Sequence, residues 1–137
     1  MRKTAVICVI SLLFVAKLAL AQAPEDRARF AAEQWIVLVD DHQYDQSWKE
    51  ASKVFQELMT TEQWQKKASA DREQLGEKHS RKLVDIKTPR TVKGLPAGQY
   101  VQVKYQSSFE NKKSATETVT AVLEGDGSWR VAAYTIN

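Results

Sequence analysis

The stretch TTEQWQKKASADREQLGEKHSRKLVDIKTP, residues 60–89, decides the fold, because the period of its apolar residues changes within it. Trp64, Ala68 and Leu75 share one face of a helix, while beyond Gly76 the residues Val84 and Ile86 alternate as in a strand. Thr60 and Gln63 make a capping box that opens the helix, and Gly76 supplies the left-handed conformation in which helices commonly end. Pro89 closes the strand, predicted over Arg81–Thr88. The chain before this point reads as helix and the chain after it as strand.

Upstream, Ala28, Ala31, Ala32, Trp35, Leu38 and Val39 recur at helical spacings, which predicts a first helix over Glu25–Asp40, with Pro24, Glu25 and Asp26 suited to its first turn. A second stripe, Trp48, Ala51, Phe55 and Leu58, predicts one more helix, capped by Asp45 or by Ser47 with Glu50. Downstream, a Gly and Pro loop over Gly94–Gly98 leads to the clearest strand. There Val101, Val103, Tyr105 and Phe109 face one way, and Gln102, Lys104, Gln106 and Ser108 face the other. Ser114–Glu124 repeats the alternation, with Val119, Ala121 and Leu123 opposed by Thr116, Thr118 and Thr120. The turn Gly125, Asp126, Gly127 then leads to a last strand from Trp129 to Ile136. The fold class is α+β, three N-terminal helices packed on a curved antiparallel sheet of about four strands, cone-like.

The N-terminus carries a different message. Arg2 and Lys3 precede an apolar run from Ala5 to Ala16, and Ala19 and Ala21 stand in the arrangement that signal peptidases accept. Residues 1–21 are therefore expected to be a signal peptide, cleaved after Ala21. The run falls short of the roughly 20 residues that span a bilayer, so no stable membrane anchor is expected. Cleavage leaves residues 22–137 as a single α+β domain, exported to the periplasm or secreted. It removes Arg2, Lys3 and Lys17 and the lone Cys8, so the mature chain carries 17 basic and 17 acidic side chains and no cysteine. A net basic footprint for nucleic acid is absent, and stability has to come from a core, without disulfides.

The helix-then-sheet order, together with Trp35, Asp40, Tyr44, Trp48, Trp64, Arg72, Gly76, Tyr105, Glu117, Gly125, Gly127, Trp129 and Tyr134, resembles the bacterial family called domain of unknown function 4019. That family is similar in layout to the nuclear-transport-factor-2-like cone fold. The resemblance implies a fold and an exported location, and it brings no catalytic residues with it.

The residues themselves exclude several chemistries. His42 and His79 lie far apart among charged neighbours without further ligands, so no metal is expected. There is no nucleophile elbow and no phosphate-binding glycine loop, and no cofactor is expected. Asp40, Asp41 and Asp45 gather where helix ends collect carboxylates for capping. Arg72 can pair with Asp40 or with an anionic ligand. The aromatic residues are the most informative set, because tryptophans in a small domain either pack a core or line a partly open cavity. The sequence therefore predicts a mostly apolar pocket near Trp48, Trp64 and Tyr105, rimmed by Asp40, Tyr44 and Arg72. It would serve a non-catalytic exported domain that binds a small apolar ligand or an envelope protein partner. The alternative is a small hydrolase or isomerase that pairs Asp40 with Tyr44 or Tyr105. The outer face of the sheet, with Gln102, Lys104, Gln106, Thr116, Thr118 and Thr120, has little apolar area to bury, so a monomer is expected.

Overall fold

The computed structural model describes residues 22–137. The expected signal peptide, with Cys8, lies outside the described residues. Four helices come first: α1 (Pro24–Asp40), α2 (Tyr44–Glu50), α3 (Lys53–Leu58) and α4 (Thr61–Leu75). Pro24 opens α1, and the helix closes in a Schellman-type turn. His42 takes the left-handed conformation there (φ 59°), its N–H donates to the Val39 carbonyl, and that of Gln43 donates to Leu38. The predicted second helix is two short ones. Its stripe fits a continuous helix, but at Ala51 and Ser52 the backbone turns extended, and the Ser52 N–H donates 2.8 Å to the Val131 carbonyl of the last strand. Ser52 Oγ then caps α3 by accepting from Phe55 N–H. A tertiary hydrogen bond thus outcompetes local helix propensity, and Leu58 ends up exposed. The Thr60 and Gln63 capping box of α4 is present in both directions.

The sheet is a meander in the order β1 (Lys78–Lys87), β2 (Tyr100–Phe109), β3 (Lys112–Leu123) and β4 (Trp129–Ile136), antiparallel throughout. β1 departs from simple alternation. A bulge between Leu83 and Asp85 leaves Val84 unpaired and exposed, so that Leu83 and Ile86 are the residues turned toward the core. Gly76 (φ 73°) links helix to sheet at a crowded point, where a Cβ would lie 2.8 Å from that of Glu110. The β2–β3 hairpin tip packs there, with Asn111 donating its backbone N–H to the Leu75 carbonyl and its side-chain amide to Gln74, so the hairpin satisfies the end of α4.

Helices and sheet enclose one core, built from Ala28, Ala32, Trp35, Ile36 and Val39 of α1, Phe55 of α3, Trp64 and Ala68 of α4, and the inward residues of β2, β3 and β4. The other face of the sheet is not uniformly wet. At one end Tyr100, Val122 and Ala132 are covered by Val92 and Leu95 of the β1–β2 connection and by Val54, and the Tyr100 hydroxyl donates 2.7 Å to the Pro96 carbonyl. Thr120, predicted to face water, is buried.

Candidate functional site

Two of the four tryptophans, Trp35 and Trp64, meet in the middle of the core, and Trp48 and Trp129 pack against its edge. Trp64 lies 5.6 Å from Trp35 and 5.1 Å from Phe55, edge to face with the latter, and Tyr134 closes the group 5.7 Å from Trp35. Three of the four indole nitrogens are satisfied internally, and the buried Nε1 of Trp129 has no partner. Trp35 Nε1 donates to the Ser47 carbonyl, Trp64 Nε1 to Ser47 Oγ and Trp48 Nε1 to the Met59 carbonyl, each at 2.8 Å. Ser47, one of the two cap residues expected for the second helix, is fully buried and serves as the polar hub of the rings.

Beside the rings, where the ends of α1 and α4 meet the sheet, lies a buried charge network. Asp40 sits in the last turn of α1, where the helix dipole disfavours an anion and no basic residue of that helix compensates. Compensation comes from other elements. Arg81 of β1 donates to Asp40 through Nη1 (2.6 Å) and Nη2 (2.9 Å), and Arg72 of α4 donates through Nη1 (2.8 Å). Arg81 also grips Glu117 of β3 through Nε (2.6 Å) and Nη2 (3.0 Å). Glu117 is fully enclosed and accepts two further bonds of 2.6 Å, from Ser107 Oγ and the Tyr134 hydroxyl. Two carboxylates and two guanidiniums neutralise one another, the geometry in which buried charge is tolerable. Arg72 also lies over the Phe109 ring, 5.3 Å from its centroid.

This network fixes protonation. Burial, the largest influence on Asp40, would raise its pKa, but the hydrogen bonds and charge of Arg81, joined by Arg72, hold the carboxyl below the ordinary 3.8. For Glu117 burial likewise pushes up, and Arg81, Ser107 and Tyr134 together hold it below 4.5. A general base working near neutrality needs the opposite shift, so this pair is poorly placed for proton transfer. Burial pushes the Tyr105 phenol up to about 12, its hydroxyl has no partner, and the Tyr44 hydroxyl bonds His42 Nδ1 at 2.8 Å. Neither tyrosine hydrogen-bonds Asp40. Because the folded pKa values lie below the unfolded ones, the carboxylates stabilise the fold fully above the unfolded values, and that contribution is lost as pH falls through the folded ones. The urea midpoint should therefore stay level from neutrality down to about pH 5 and drop below about pH 4.5. A midpoint that rises on acidification would contradict the linkage.

Of the six residues singled out from sequence, Asp40 and Arg72 meet in the ion network and Trp64 and Tyr105 are buried in the core. Trp48 and Tyr44 lie at its margin. None of the six lines any of four clefts that open to solvent elsewhere on the described residues. The largest, about 670 Å³, runs between α4 and the end of β4, past Lys67, Leu75, Asn111 and Tyr134. Two others adjoin each other between α1 and the start of β4, and Phe30, Ala31 and Trp129 line both. Sequence reasoning missed Arg81 and Glu117 as a pair. The available signal was parity, since Glu117 is in phase with Val119 and Ala121, and Arg81 with Leu83. Among the described residues, no group of three or more His, Cys, Asp or Glu could hold a metal, and no helix is long and apolar enough to cross a membrane.

A search of the curated proteins returns no match for this chain. A family model does match, over residues 31–134, which spans α1 from Ala31, the whole sheet up to Tyr134 and every residue of the ion network. The chain belongs to the family described as protein of unknown function (DUF4019).

Proposed function

We propose that the mature domain is an exported, non-catalytic module that docks a protein partner on its outer surface. One observation carries the reading: the space between helices and sheet, where a ligand pocket was expected, is filled by mutually satisfied rings and a self-neutralised ion network. Recognition is thereby left to the outside. The groove between α1 and β4 is the best-suited place, because Phe30 is 62 % exposed there and Trp129 forms the facing wall. Exposed aromatics beside a groove are the residues that anchor protein interfaces. The charged start, apolar run and Ala19-x-Ala21 support export.

Two measurements test this. Protein recovered from the periplasm or medium should have an intact mass that begins at Gln22. In living cells, a photo-crosslinking residue at Gln34 should give a discrete adduct with one envelope protein, abolished by Phe30→Asp, while the same residue at Lys104 gives none of that adduct. Absence of any adduct from position 34, together with stoichiometric quenching of tryptophan fluorescence by a long-chain fatty acid, would return the small-ligand reading.

A further inference from the structure

The neutral total charge of the mature chain conceals a segregation. Residues 22–76, the helical half, hold 7 basic and 11 acidic side chains, whereas residues 77–137, the sheet half, hold 10 basic and 6 acidic. The cations of the sheet half are also less engaged. Among the described residues, Lys82, Arg90, Lys93, Lys104, Lys112 and Lys113 form no ion pair, while three helical cations are bound to acids four residues away. The turn acids Glu110, Glu124 and Asp126 are engaged with backbone N–H groups of their own neighbourhood.

Strand register assembles these charges into a face. Lys82 is opposite Gln106, Asp85 opposite Lys104, and Lys87 opposite Gln102. Lys104 therefore has Lys82 and Lys87 as its diagonal neighbours, about 7–8 Å away. The bulge at Val84 keeps Lys82, Asp85 and Lys87 on this one side. Asp85 is the single acid among them, and it pairs with Lys87 at 3.5 Å. Across β3 and β4 the face continues as Thr116, Thr118 and Thr135.

We infer that this outer face of the sheet is a docking surface for an anionic polysaccharide. Charge complementarity selects an anion, and the rest of the face selects its class. A stable protein interface needs a desolvated apolar core, and this surface offers amides, hydroxyls and ammonium groups, the donors that suit a hydrated, carboxylated or sulfated glycan. The site is separate from the groove at Phe30, so each can fail without the other.

The test uses the mature protein on surfaces carrying polygalacturonate, dextran sulfate, neutral dextran or poly-L-glutamate, at low and physiological salt. Binding to both anionic glycans is expected, weakened by salt, with no binding to neutral dextran. The variant Lys82→Gln, Lys87→Gln, Lys104→Gln should lose roughly fivefold in affinity per lysine removed. Lys49→Gln, Lys53→Gln, Lys66→Gln on the helical side removes equal charge and should retain binding, and circular dichroism with thermal melting checks that both variants fold. Equal loss in the two variants, or no binding at low salt, overturns the proposal. Equal or tighter binding of poly-L-glutamate would assign the face to an acidic protein instead. Concentration-dependent growth in light scattering, abolished by the sheet-side variant, would assign it to the acidic helical half of a second copy.

Discussion

Replacing Glu117 by alanine is expected to cost about 3–5 kcal/mol of folding free energy, the range found when one partner is removed from a buried ion pair. The carboxylate is fully enclosed and takes four donors: two from Arg81, one from Ser107 and one from Tyr134. Without it, Arg81 keeps only Asp40, and the buried Ser107 hydroxyl and the half-buried Tyr134 hydroxyl both lose their acceptor. A domain of this size holds about 5–15 kcal/mol in total, so the variant should be close to unfolding at ambient temperature. Urea denaturation followed by tryptophan fluorescence measures the effect, and a loss below about 1 kcal/mol would show that the network is not coupled to stability. The double variant Glu117→Leu with Arg81→Leu should recover part of the loss, because it removes the stranded charge as well as its partner.

The second large effect is expected at Trp64. Truncation to alanine removes a ring in contact distance of Trp35, Phe55 and Tyr134, and it removes the indole N–H that Ser47 Oγ accepts, leaving that hydroxyl only its bond to the Tyr44 carbonyl. Large aromatic deletions in a closed core cost about 3–5 kcal/mol. Ser47→Ala should cost less, about 1–3 kcal/mol, since it keeps the ring but leaves Trp64 Nε1 without an acceptor. The two losses should fall short of additive in the double variant, because both act on the same hydrogen bond. If Trp64→Ala melted within a few degrees of the parent, the ring would not be the keystone described above. An apolar cavity able to collapse around it would then be required.

Much of the fold was legible because its signals are local. The capping box at Thr60, the left-handed Gly76, and the strict alternation of Val101 to Tyr105 each depend on a few neighbouring residues, and the structure follows them. Where reading failed, the decisive contact came from far along the chain. Nothing near Ala51 and Ser52 reveals that Val131 will offer a carbonyl there and split a helix that its own stripe supports. Val84 has the look of an inward residue until the bulge in β1 is known. The candidate site was half legible. Asp40 and Arg72 could be named as partners, since both lie at helix ends, whereas Arg81 and Glu117 show inward parity in the sequence but nothing local says that the two meet.

The sequence spans of the ion network also govern the timing of unfolding. Its bonds join residues 10 to 62 positions apart, most of them more than 30 apart, drawn from α1, α4 and all four strands. Contacts that wait for so many long loops to close form late on the way to the native state, and interactions absent from the folding barrier act mainly by slowing the reverse step. The clasp therefore prolongs the lifetime of the folded molecule more than it hastens its formation. For a chain that has no cysteine after residue 21, and hence no covalent staple, that lifetime is its defence against proteases, which attack most readily the forms that open.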